Sequence, residues 1–159
     1  MKITIIAVGN LRETYFRAAA EEYLKRLSPY AQVAVVEVAE EIVPPNASPA
    51  SEAKLREKEG QQILKAVPAG SLALVLAIEG RQHSSEQFAA WLEQQRLIGR
   101  SHISFIIGGS TGLSEQVKAQ SAGQISFGAL TLPHQLARIV LLEQIYRAFR
   151  ILRNEPYHK

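Results

Sequence analysis

Apolar positions along this chain switch between two spacings, and the switches mark its elements. Lys2–Val8 (KITIIAV) is a short β-branched run ended by Gly9, the pattern of a buried strand. Over residues 13–27 the apolar positions Tyr15/Phe16, Ala19/Ala20, Tyr23/Leu24 and Leu27 recur at helical spacing, and Ser28-Pro29 ends the predicted helix. Residues 33–38 (VAVVEV) predict a second strand. Residues 42–49 (IVPPNASP) predict a loop with Asn46 and Ser48 as cap candidates. Residues 50–66 predict a strongly charged helix with Leu55, Ile63 and Leu64 on its apolar side. Gly60 inside it costs about 1 kcal/mol relative to Ala, so the helix is either mobile there or uses Gly60 for a close contact. Residues 71–78 (SLALVLAI) are almost continuously apolar, as at a sheet centre covered on both faces, and Glu79-Gly80 is expected to close that strand. Ser84/Ser85 cap a helix to Leu97, with Phe88, Trp91, Leu92 and Gln95 on one face. His102–Ile107 is a fourth strand, residues 113–120 a short helix, and residues 125–127 a very short fifth strand. Pro133 suits the first turn of a last helix that runs to about Leu152.

Strands and helices alternate throughout, so the expected class is α/β, with a mostly parallel sheet and flanking helices. A chain of 159 residues is expected to form one domain and can bury a sizeable core without staples. The last helix is apolar nearly all round: beside Leu136, Ile139 and Val140 it carries Leu141, Leu142, Ile145, Tyr146 and Phe149. A helix of that kind needs cover on several sides. A homodimer through this helix supplies it, and deeper burial within one chain is the alternative.

Composition narrows the chemistry. Hydrophobic residues make up 47% and charged residues 21%, which excludes a disordered chain. No apolar run reaches the roughly 20 residues of a membrane span, and the N-terminus reads as a strand rather than a signal peptide. The absence of cysteine suits a cytoplasmic protein and removes thiolate metal sites. Aspartate is also absent, which removes Asp-based triads, calcium loops and Asp–magnesium phosphoryl-transfer sites. His83, His102, His134 and His158 show no ligand spacing, so no metal is expected. The basic surplus lies late in the chain, where Lys118, Arg138, Arg147, Arg150, Arg153 and Lys159 face only Glu143 and Glu155. That end fits a polyanion such as RNA, or equally a solvated cationic helix end favoured by the helix dipole.

Two glycine turns follow two of the strands: GGSTG after Ile107, and GALTLP from Gly128 into the last helix. The first is no Walker A loop, because no Lys-Ser/Thr follows it, and no GxGxxG follows the first strand. Such turns alone are weak evidence. Side by side at strand ends they form a crevice suited to a flat, uncharged ring held by backbone groups, with Ser110 and Thr111 shaping the loop.

The segments IIGGSTGL, SFGALTLPHQLARIVLLEQIYRAF and NEPYHK, with the MKITIIAVG start, resemble the RlmH family of the SPOUT methyltransferase superfamily over essentially the whole chain. The resemblance implies a single SPOUT domain over 1–159, with a trefoil knot within about 103–159. It implies S-adenosyl-L-methionine-dependent methylation of N3 of a pseudouridine in helix 69 of 23S rRNA, on the assembled ribosome. It also implies a homodimer that completes the active site. The family's cofactor positions fall on Leu76, Gly108, Phe127, Gly128, Ala129, Leu130, Thr131 and Leu132.

Methyl transfer to N3 requires an aligned nucleophile and removal of a weakly acidic proton. The tail supplies the catalytic candidates. His158 titrates near neutrality and is either a base or a plain terminal residue. Tyr157 is suited to stacking on a nucleobase or orienting it, and Arg153 to a phosphate or a developing anion. His134 has a capping or a catalytic role. Glu143 reads as structural, with Arg138, Arg147 or a dimer mate as partner. A reading of another class stays open: a non-catalytic ribosome- or RNA-binding α/β protein with a vestigial pocket.

Overall fold

Ile3, Ile5 and Ala7 face one side of the first strand and Ile6 and Val8 the other, and all five are buried. Apolar residues on both faces of a strand need a layer on each side. The computed structural model, which describes residues 1–157, provides them. The elements in order are β1 (Lys2–Val8), α1 (Thr14–Leu27), β2 (Gln32–Val38), α2 (Pro49–Ala66), β3 (Leu72–Gln82), α3 (Ser85–Leu97), β4 (His102–Ile107), α4 (Glu115–Gln120), β5 (Gly123–Ser126) and α5 (His134–Leu152). The five strands form one sheet in the order β2-β1-β4-β3-β5, with every pairing parallel. One face carries α1, α3 and α5 over Ile3, Ile5, Ile103 and Phe105. The other carries α2 and α4 over Ile6, Val8, Val75 and Ile106. Each such side chain contributes about 1.5–3 kcal/mol by leaving water.

The helices begin where their caps say. Ser48 accepts from the Ser51 N–H with Pro49 behind it, and Ser84 and Gln87 form a reciprocal capping box at α3. Ser114 accepts from the Val117 N–H and so delays α4 to Glu115, two residues later than the apolar pattern predicts.

Further expectations change. β3 is not the middle of the sheet; β4 is, and β3 lies between it and the edge strand β5. Nor does Glu79-Gly80 close β3, which continues to Gln82. Its pairing with β5 skips from Leu76 to Arg81, both opposite Ile125, so residues 77–80 bulge out of the ladder. Gly80 returns the chain against β5, where a Cβ would stand 2.6 Å from the Ile125 carbonyl carbon. Finally, Pro133 is the N-cap of α5 rather than part of its first turn, and β5 covers Gly123–Ser126 instead of 125–127. Of the two readings of Gly60, the close contact holds: a Cβ there would meet Ser114 Oγ at 2.4 Å. On α1, Tyr15 is 63% exposed and does not join the buried side.

α5 runs between α1 and α3 and touches β1 and β4, which buries Ala137, Leu141, Leu142, Ile145 and Phe149 within the chain itself. Leu136, Ile139 and Val140 remain half-buried.

Candidate functional site: a cleft at the carboxyl ends of three strands

The C-terminal ends of β3, β4 and β5 open onto a cleft of about 570 Å³. Three segments wall it: the 77–80 bulge, the glycine turn after β4, and the connection from β5 into α5. This is where open parallel sheets bind ligands. Leu76, Gly108, Phe127, Gly128, Leu130, Thr131 and Leu132 all line it. Ala129 does not; it sits exposed on the outside of its loop.

Local chemistry shapes each wall. Gly108 presses on the return of its own turn, where a Cβ would be 2.9 Å from Leu113 Cγ. The turn is closed by a Gly112 N–H to Gly109 carbonyl bond of 3.1 Å. Ser126, only 5% exposed, ties the third wall: its hydroxyl accepts from the Gly128 N–H and donates to the Gly128 carbonyl, each at 3.1 Å. Gly128 has φ +123°, a conformation that side chains with a Cβ rarely adopt. The cleft interior is mainly aliphatic, from Leu76, Ile107, Leu113, Leu132 and Ala137. Ile78, Phe127 and Leu130 are exposed at its walls. Such a surface suits a flat apolar ring, with backbone groups of the turns within reach for polar contacts.

Of the polar groups lining the cleft, the sequence points to Ser110, Thr131 and His134, but gives Glu79 only as a strand end and Lys118 only as one of the late basic residues. Lys118 of α4 pairs with Glu79 in the bulge. The hydrogen bond from Lys118 holds the Glu79 carboxyl below its ordinary range, and the same contact raises Lys118. His134 lines the cleft as the first residue of α5 and makes no capping bond. No motif announces these residues, because their neighbourhood comes from the bulge and the helix crossing. A second hollow of about 340 Å³, containing His83, Ser85 and Gln144, lies across Ile125, Ser126 and Phe127 from the cleft. Burial, then Arg81, pushes His83 below its ordinary pKa.

The tail candidates lie elsewhere. Tyr157 turns back on its own helix, edge-on to Tyr146 at 5.0 Å, and donates to Glu143 Oε1 at 3.0 Å. Burial, then hydrogen bonds to Tyr23 and Glu143, keep its hydroxyl well above the usual phenol range. Arg153 lies over the Tyr30 ring at 4.4 Å. Glu143 takes Arg147 as its ion-pair partner, while Arg138 turns to Glu37. His158 falls outside the described residues. The basic end of the chain forms an arginine–tyrosine cluster in which Arg26, Arg147, Arg150 and Arg153 stand over Tyr23, Tyr146, Tyr157 and Tyr30. Among the described residues no three potential metal ligands gather, and no helix is long and apolar enough to cross a membrane.

Comparison with known proteins gives the cleft a lineage. The sequence profile described as "Predicted SPOUT methyltransferase" matches residues 1–158. The "Ribosomal RNA large subunit methyltransferase H" of Carboxydothermus hydrogenoformans is 51% identical over 159 residues, the whole of both chains. The protein of the same name from Listeria welshimeri is 53% identical over the same full span. Among solved structures, "a probable methylase family protein" from Haemophilus influenzae superposes with a TM-score of 0.51 at 14% identity, over 99% of this chain and 70% of that one, and shares the fold. The chain belongs to the SPOUT methyltransferase family, in the branch of the ribosomal RNA large subunit methyltransferase H proteins.

Proposed function

We propose that this chain is an S-adenosyl-L-methionine-dependent methyltransferase that modifies N3 of a pseudouridine in helix 69 of 23S rRNA on the assembled ribosome. The observation that carries the reading is the cleft: three glycine-bearing or bulged segments converge on one largely aliphatic space at the strand ends. Its dimensions and lining fit the cofactor. Leu76, Ile107, Leu113 and Leu132 would enclose the adenine ring. The turns at Gly108 and Gly128 would bring backbone N–H and C=O groups close, because neither carries a Cβ. Bound there, the cofactor supplies an electrophilic methyl group on a sulfonium.

The chain's own residues then bind, orient and exclude water. Ile78, Phe127 and Leu130 shield the mouth, and Lys118 held by Glu79 places a cation at the edge of the space. Arg153, Tyr157 and His158 remain the candidates for orienting the acceptor and handling its N3 proton. Arg153 follows the other end of α5, a helix of 19 residues and so about 28 Å long, and Tyr157 folds back only as far as Glu143 and Tyr146, about the middle of that helix. A tail so placed reaches a cleft most simply in a second copy, which favours a homodimer built on the half-buried face of α5. The whole chain, 1–159, acts as one domain. α5 lies over β1 and β4 while the strand that feeds it is the edge strand β5, so residues 127–133 run back across the end of β3. That passage supports a trefoil knot within about 103–159.

Labelled S-adenosylmethionine offered to ribosomes lacking the modification, with naked ribosomal RNA in parallel, tests the reading. Label recovered as N3-methylpseudouridine from ribosomes supports it. Cofactor binding with no transfer to any ribosomal RNA would favour a non-catalytic RNA-binding protein instead.

A further inference from the structure

Glu59 of α2 is a carboxyl group only 4% exposed. Its Oε1 accepts from the Glu41 N–H at 2.8 Å. Its Oε2 is buried and accepts no hydrogen bond from any described residue. Both oxygens face Gly109: a Cβ built there would stand 3.2 Å from Oε2, 3.4 Å from Oε1 and 2.8 Å from Val8 Cγ1. The glycine is thus held between the end of β1 and Glu59. The neighbouring Gly60 does the same for the far end of the turn, pressing on Ser114, the N-cap of α4. Glu59 and Gly60 stand outside the cleft, whereas Gly108, Gly109, Ser110 and Gly112 line it.

We propose that Glu59 is a positioning residue for the cofactor cleft: from behind, its Oε2 hydrogen-bonds the backbone of the 108–112 turn and holds the turn in the shape that accepts the cofactor. This rests on the reading of the cleft as the S-adenosylmethionine site. It also gives the charged 50–66 helix a function that its surface charges do not explain.

Oε2 can donate to a turn carbonyl only in the acid form, the form that burial favours. Burial raises its pKa, the Glu41 N–H offsets part of the rise, and Glu40 and Glu41 add to it. The nearby cations are committed elsewhere: Lys58 of α2 pairs with Glu41 and Arg12 with Glu40. Val8 and the 108–112 turn carry no charge. Once ionised, Oε2 sets an uncompensated charge against the turn and the turn relaxes away.

The test uses the full chain and the variants Glu59→Gln and Glu59→Leu. Hydrogen exchange over 108–112 is measured without cofactor, and S-adenosylmethionine affinity by calorimetry from pH 5 to about 8.5, across the range where a raised carboxyl titrates. Glutamine keeps both the acceptor for Glu41 and a donor toward the turn. Glu59→Gln is therefore expected to match the wild type in exchange and in low-pH affinity. The wild type loses affinity as pH rises, and Glu59→Gln does not. Every other group of the chain and of the cofactor is the same in both proteins, so the difference between the profiles belongs to Glu59. Glu59→Leu is expected to exchange faster over the turn and to bind about tenfold more weakly, the scale of one lost hydrogen bond. Parallel pH profiles, or a Glu59→Gln protein as loose as Glu59→Leu, would overturn the proposal. A wild type that binds no S-adenosylmethionine at any pH would refute the cofactor reading. The exchange comparison would still decide whether Glu59 holds the turn.

Discussion

Arg138 and Glu37 meet at 2.6 Å above the carboxyl end of the sheet, the arginine 1% exposed and the glutamate side chain 44% exposed. A second guanidinium nitrogen donates to the Gly9 carbonyl at 2.7 Å, so one side chain of α5 ties the ends of β1 and β2 together. Removing the arginine leaves a cavity and an unpaired carbonyl, and Arg138→Ala is expected to lose about 3 kcal/mol. Glu37 is partly in water, so Glu37→Ala should cost less, about 1–2 kcal/mol. Urea denaturation with an unchanged slope measures both, and a smaller loss for Arg138→Ala than for Glu37→Ala would contradict the buried-clamp account.

Gly80 is where β3 rejoins β5, and a methyl group there meets backbone at 2.6–2.8 Å. Backbone cannot rotate out of the way as a side-chain tip can. Gly80→Ala is expected to cost about 1–3 kcal/mol by overpacking and to displace Ala77, Ile78 and Glu79 from the cleft wall. Cofactor affinity should fall with it. Unchanged affinity in a measurably destabilised variant would mean that the bulge does not shape the site.

The tail is expected to matter for transfer and not for cofactor binding. Deleting residues 157–159 removes Tyr157 from Glu143 and Tyr146, none of which lines the cleft. Methyl transfer should drop by about 100-fold or more, the scale of a lost acid–base or orienting group, while calorimetry shows cofactor affinity intact. Full activity in the truncated protein would remove the tail from the mechanism.

His83 offers a pH signature. Burial, then Arg81, lowers its folded-state pKa below the unfolded value. The unfolded chain therefore binds the proton first as pH falls. Stability conferred by the neutral ring is present above about pH 6.5 and is lost as pH drops through the unfolded and then the folded pKa. Thermal melts of the wild type should fall more steeply between about pH 7 and 5 than those of His83→Gln. Identical slopes would show that the ring is not held neutral by the fold.

Much of the site can be read before folding is considered. The turns at Gly108 and Gly128 stand at the ends of apolar runs, and a glycine at a buried strand end is a local signal. Glu79, Lys118 and Glu59 carry no such signal. Glu79 enters the cleft because the β3–β5 register skips four residues, and Lys118 because a helix on the opposite face ends beside it. Glu59 sits in a stretch of alternating charges that reads as solvated surface, and only the packing of α2 against α4 and β1 buries it.

Local pattern was enough for the order of elements, the parallel class and the strand ends where the cleft opens, because periodicity and turn chemistry act over a few residues. It misplaced the middle of the sheet, since β3 and β4 are equally apolar and strand order is a long-range property. It also left open what covers the last helix. The folded chain answers most of that: α1 and α3 flank α5, leaving Leu136, Ile139, Val140, Ile151 and Leu152 half-buried. Which residues meet in the cleft was decided by register, bulge and helix crossing, and these come from packing among segments far apart in the chain.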